Sequence, residues 1–141
     1  MPALDNEKRI LNILNRTYNL DIKKSSSADI INDLKISVDF IWELKNIRIL
    51  FEVDSYNAAK NIFGQYVLLN NALEYKQNCI LIVIHCYKNY NKKRTEKYLN
   101  FAKETLKCKI PFLVFNELEW TNFLTSTGKQ KFINSINKLI P

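Results

Sequence analysis

The chain has 141 residues, enough for one domain with its own core and too few for two. Its 47% hydrophobic and 25% charged residues, with only 2 Gly and 3 Pro, exclude disordered, collagen-like and loop-dominated chains. An excess of 21 Lys+Arg over 14 Asp+Glu gives a net charge of +7, which suits a phosphate-rich partner.

Asn6 to Leu20 places Ile10, Leu11, Ile13, Leu14 and Tyr18 at helical spacing, with Asp5 in position to cap the helix. The polar stretch Lys23-Lys24-Ser25-Ser26-Ser27 reads as a loop. Ala28 to Leu34 fits a short helix or an irregular strand equally well. Two β-like runs follow, Ile36 to Leu44 and Ile47 to Val53, around Lys45-Asn46, where Asn can take the positive φ of a tight hairpin turn. Ala58 to Leu73 then reads as a long helix over a sheet, and the all-apolar Ile80 to Ile84 as a strand buried on both faces. Thr95 to Leu106 is helical, Ile110 to Phe115 is a second buried strand, and Asn116 opens a helix with Glu117 and Glu119 in its first turn. Lys129 to Leu139 is a last amphipathic helix. A hairpin followed by alternating helices and strands predicts a single α/β domain over 1–141, with a central mixed sheet of about four or five strands flanked by helices.

The longest apolar run, Cys79 to Cys86, contains His85 and is too short to span a bilayer, so no membrane partner is expected. Three cysteines without a CxxC pair fit buried thiols in a reducing compartment, and the polar Met1 to Lys8 start carries no signal core. The expected location is the cytoplasm. His85 is the sole histidine, and its most economical reading is a satisfied residue at a strand end.

Two acids carry the chemistry. Asp39 and Glu52 lie equally far from the Lys45-Asn46 turn, so an antiparallel hairpin sets them opposite each other, with Cβ atoms about 5 Å apart. Their neighbours are apolar at almost every position, and acids in such a setting are costly unless paired or functional. A divalent cation relieves the repulsion, since Mg²⁺ takes one or two carboxylates plus waters and substrate phosphate.

The segment Asp39-Phe40-Ile41-Trp42 through Ile49-Leu50-Phe51-Glu52-Val53-Asp54-Ser55 resembles the core motif of the PD-(D/E)XK nuclease superfamily. That superfamily groups restriction endonucleases with archaeal Holliday-junction resolvases and related repair nucleases. The likeness covers roughly residues 5 to 115 and extends to Ile62-Phe63-Gly64-Gln65-Tyr66, similar to the family's next helix. It implies a Mg²⁺- or Mn²⁺-dependent endodeoxyribonuclease in which Asp39, Glu52 and the Val53 carbonyl hold the metal and Glu7 completes its shell through water. Gln65 would orient the water or a phosphate.

The family's lysine position holds Asp54, and three readings follow from that departure. An acid is tolerated there because the metal activates the water, with Asp54 binding a second cation or acting as general base. Alternatively Lys60, near the start of the following helix, reaches back into the site. Or the fold persists as a catalytically inactive DNA-binding or protein-interaction module. Were Asp39 and Glu52 to point apart, an unrelated α/β domain would be the better reading.

Lys88, Lys92, Lys93, Arg94 and Lys97, interleaved with Tyr87, Tyr90 and Tyr98, form the densest basic-aromatic cluster and are the expected DNA-binding residues. A homodimer is expected through the apolar faces of the two C-terminal helices, with Trp120, Phe123, Phe132, Ile133 and Ile136.

Overall fold

The computed structural model describes residues 3–24, 29–31, 34–56, 58–72, 78–87 and 90–140. The first helix, α1 (Ala3–Tyr18), buries Ile10, Leu14 and Tyr18, spaced by four so that they share one face. It ends where Asn19 turns left-handed (φ 54°) and the Leu20 N–H reaches back to Asn15 O at 2.8 Å, a Schellman closure. The undecided segment resolves into strand: β1 (Asp29–Ile31) pairs antiparallel with β2 (Leu34–Ile36).

The single run read from Ile36 to Leu44 is broken in the structure. β2 ends at Ile36 and β3 (Phe40–Glu43) begins a new strand. The reason lies in the two cores. Val38 packs with Ile36 on one side of the sheet, whereas Phe40 and Trp42 pack on the other. A regular strand would send Val38 and Phe40 to the same side, so the backbone has to turn between them.

β3 and β4 (Arg48–Asp54) form the hairpin in the register counted from the sequence, Phe40 opposite Phe51 and Trp42 opposite Ile49. Leu44 N–H closes the turn on Ile47 O at 2.8 Å. Among the described residues Asn19 and Lys107 are the non-glycine positions with positive φ, so Asn46 does not adopt the left-handed conformation expected of it.

After β4 come α2 (Ala59–Ala72), β5 (Cys79–His85), α3 (Lys93–Thr105), β6 (Phe112–Asn116), α4 (Glu117–Ser126) and α5 (Lys129–Leu139). β4, β5 and β6 are parallel neighbours, giving a four-stranded mixed sheet in the order β3-β4-β5-β6. Every residue of β5 is buried, as its uninterrupted apolar sequence requires of a strand covered on both faces. α2 and α3 cover one face through Ile62, Tyr66, Leu69 and Leu99. α1, α4 and α5 cover the other through Ile10, Leu14, Trp120, Phe132 and Ile136. The protein is therefore a single α/β sheet between two helical layers, with β1 and β2 as a separate small hairpin.

Asn116 caps α4 in both directions. Its side chain accepts the Glu119 N–H at 2.9 Å, while Glu119 accepts the Asn116 N–H at 3.0 Å. Glu119 is held below the usual carboxylate range, first by that backbone hydrogen bond.

The dimer surface expected on the C-terminal helices is not available. Trp120, Phe132 and Ile136 are wholly buried against the sheet, and Phe123 and Ile133 pack onto the same cluster. An amphipathic helix buries its apolar face against the first large apolar surface it meets, and here that surface is the chain's own sheet. Cys79, Cys86 and Cys108 are unbridged thiols, and burial pushes Cys79 and Cys86 up to about 11 and about 12. No described helix is long and apolar enough to cross a membrane.

Candidate functional site

The carboxyl end of β4 gathers acids from three directions. Asp39 arrives on the connection entering β3, where the ladder has one rung left to fill. Its own N–H donates to Phe51 O at 3.0 Å, and its side chain accepts the Val53 N–H at 2.6 Å. Val53 thus turns its N–H toward Asp39, and by the alternation of a strand its carbonyl faces the same edge. Glu7 comes from the first turns of α1, which is tied to this end of β4 by Asn6 Nδ2 donating to Ser55 Oγ at 2.9 Å. Glu52 projects from β4 itself, one residue beyond Phe51, the last β4 position paired with β3.

These groups repel one another in a partly desolvated setting. Asp39 is pushed up to about 7, first by burial and then by the charge and proximity of Glu7, against the pull of the Val53 N–H and Lys24. Glu52 is pushed up to about 9 by burial and by Asp39, Glu7 and Asp54, with nothing that acts in the opposite direction. The only cation touching the cluster among the described residues is Lys24, its Nζ 2.8 Å from Glu7 Oε2. That contact is an ion pair without hydrogen-bond alignment, since no described donor points at Glu7 Oε2, which is shut off from solvent.

Hard oxygen donors, mutual repulsion and an unmatched carboxylate oxygen fit a divalent cation of the Mg²⁺ or Mn²⁺ type. Among the described residues no three His, Cys, Asp or Glu side chains stand ready as a complete ligand set. Mg²⁺ does not need one, because it keeps most of its waters and takes one or two carboxylates.

Asp54, at the motif's lysine position, is used differently. Its carboxyl accepts the N–H of Tyr56 at 3.2 Å and of Ala58 at 3.5 Å, shaping the entry to α2, and contacts His85 Nδ1 at 2.7 Å. His85 Nε2 then meets Thr95 Oγ1 at 2.9 Å, which meets Tyr90 OH at 2.9 Å. The chain is satisfied throughout when Tyr90 donates to Thr95, Thr95 to His85, and His85 Nδ1–H to Asp54. The strand-end reading of His85 is thereby met, and its partner is the acid that the motif places at the lysine position.

Lys60 is exposed on α2, and no described contact brings it to the acids. The Gln65 amide donates to Ser37 O, holding the connection that delivers Asp39. Of the basic cluster, Lys88 lies outside the described residues. Lys93, Arg94 and Lys97 are exposed on α3, while Lys92 pairs with Glu119 at 3.1 Å. Tyr90 is buried and bonded, and Tyr98 packs on Phe63 with ring centroids 5.8 Å apart, which leaves Tyr87 as the exposed ring of the three. Two features have no local sequence signal: Lys24, hidden in a polar stretch, and the bidentate Arg9–Glu117 pair at 2.8 and 2.6 Å that clamps α1 to α4.

Comparison of the chain with protein-family models, curated proteins and solved structures returns no match.

The raised carboxyls carry a pH prediction. In metal-free protein, Asp39 and Glu52 hold protons in the folded state that the unfolded chain has released above about pH 4. The folded state then binds more protons, so stability falls as pH rises from about 5 towards 9. The lowered Glu117 and Glu119 act in the opposite sense but below that window. Melting temperature in chelator should drop across pH 5, 7 and 9, and Mg²⁺ should flatten the decline. A melting temperature that climbs over this range in chelator would contradict the assignment.

Proposed function

We propose that the protein is a metal-dependent nuclease of the PD-(D/E)XK type acting on DNA phosphodiester bonds. The observation that carries the reading is the Glu52 carboxyl, pushed up by burial and three neighbouring acids with nothing described to offset them. An acid strongly perturbed by burial and by specific charged neighbours is a functional-site candidate. The resemblance over Asp39, Glu52 and the following helix supplies the reaction class, and the observed β3–β4 hairpin followed by α2 and β5 is compatible with it.

In this reading Asp39, Glu52 and the Val53 carbonyl hold Mg²⁺, with Glu7 joining through water. The bound metal supplies an activated water and stabilises charge on the phosphate. Asp39 is oriented by the Val53 N–H, and Gln65 keeps the Asp39 connection in place rather than meeting the water itself. Asp54 acts as a support for His85 and the α2 entry rather than as a base or a second-metal ligand. Incubating supercoiled plasmid with the protein in Mg²⁺, in Mn²⁺ and in chelator tests this directly. Metal-dependent nicking supports it, and intact plasmid in both metals refutes it.

A second reading has its own observation. With Asp54 held by His85 and two backbone N–H groups, the site has no lysine at the motif position, as in a lapsed nuclease that keeps the fold as a DNA-binding or protein-interaction module. Both DNA readings place a duplex backbone along the exposed Lys93, Arg94 and Lys97. Neutralising these three together should lower DNA affinity for all sequences and reduce the slope of log affinity against log salt by up to about 3. Gel-shift titrations from low to moderate salt measure it; an unchanged slope would remove α3 from the interface. A homodimer cutting both strands would need a surface other than the buried faces of α4 and α5.

A further inference from the structure

Lys24 lies in the polar stretch after α1, yet its position is fixed. Its backbone forms an antiparallel bridge to Phe40, the residue next to Asp39. Its Nζ stands 2.8 Å from Glu7 Oε2, and its charge also reaches Asp39. The lysine side chain is 48% exposed and the Glu7 side chain 18%, so the ammonium covers the solvent side of a more deeply set acid. Lys23, one residue earlier, points elsewhere and pairs loosely with Asp21 at 3.6 Å.

We propose that Lys24 is an internal counter-ion of the carboxylate cluster, and that a divalent cation must displace it from Glu7 to bind. The inference rests on the metal-dependent reading above. A divalent ion held by Asp39 and Glu52, with Glu7 joining through water, repels an ammonium in contact with Glu7. The long, half-exposed lysine stem lets that ammonium swing into solvent without disturbing the backbone bridge. Breaking the Lys24–Glu7 pair therefore opposes metal binding, and Lys24 sets the affinity of the site.

Calorimetric titration of Mn²⁺ at low salt tests this on the full chain. Lys24→Met keeps the stem and removes the charge, so it should bind Mn²⁺ about tenfold more tightly than the parent, the scale of one nearby charge in a partly screened setting. Lys24→Gln should do the same, and Lys24→Arg should stay near the parent. Lys23→Met changes the net charge identically and should leave the affinity within about twofold. If the parent binds Mn²⁺ and the Lys24→Met and Lys24→Gln proteins match it, or shift no more than Lys23→Met does, the counter-ion role is overturned while the metal site stands. If the parent binds no Mn²⁺, the metal-dependent reading falls and this inference falls with it.

Discussion

Asp39→Ala and Glu52→Ala are each expected to reduce Mg²⁺-dependent plasmid nicking at least about a thousandfold, equivalent to about 4 kcal/mol of lost transition-state stabilisation. The two substitutions should act alike on chemistry because neither acid alone retains the cation. They should differ in stability. Asp39 also caps the Val53 N–H at 2.6 Å, so its removal leaves a strand-edge donor without its acceptor and costs about 1–3 kcal/mol. Glu52 makes no such bond among the described residues, and its removal relieves repulsion with Asp39, Glu7 and Asp54, so Glu52→Ala should be neutral or stabilising in chelator. Both variants should still bind DNA, since they delete negative charge beside the phosphate. A Glu52→Ala protein that nicks at the parent rate would remove the acid from the mechanism.

Restoring the motif lysine by Asp54→Lys is expected to destabilise the protein by about 3–5 kcal/mol, the cost of leaving a buried charge without its partner. The Asp54 carboxyl serves the N–H groups of Tyr56 and Ala58 and contacts His85 Nδ1 at 2.7 Å. An ammonium offers no acceptor to any of them and faces the donor side of the imidazole. At this chain length the loss corresponds to a fall in melting temperature of about 10 °C or more. Asp54→Asn, which keeps one acceptor oxygen, should fall by less. The expected outcome is therefore a folding defect rather than a gain of activity. Thermal unfolding of both variants separates the two: an Asp54→Lys protein as stable as the parent would mean that Asp54 is not structurally engaged.

The hairpin register from Glu43–Arg48 to Phe40–Phe51 was open to a reader of the sequence because a two-residue turn fixes each pair by counting outward. The Asp39 N–H bond to Phe51 O, one step off that count, was not. The α4 cap was equally legible, since Asn116 and Glu119 are three residues apart and satisfy each other locally. The break at 37–39 was hidden because Ile36, Val38, Phe40 and Trp42 are all apolar, and polarity cannot say which of two cores each one enters. The Asp54–His85 contact was not legible because the partner lies across a parallel strand pair, in a register that loop lengths do not specify. Lys24 and Glu7 meet only once α1 and β3 are both docked on β4. The C-terminal helices show a further ambiguity: an apolar helix face looks the same whether it will cover the chain's own sheet or a second copy.

In the proposed site Asp39 and Glu52 hold a divalent cation, with Glu7 joining through water. Titrating Mn²⁺ into the parent and the Glu52→Gln protein by calorimetry, with fold checked by circular dichroism, tests it without requiring a substrate. Saturable binding of Mn²⁺ to the parent is expected in the micromolar to millimolar range, and none to a folded Glu52→Gln protein. Absence of heat from the parent at millimolar Mn²⁺, or equal binding by both proteins, would contradict it.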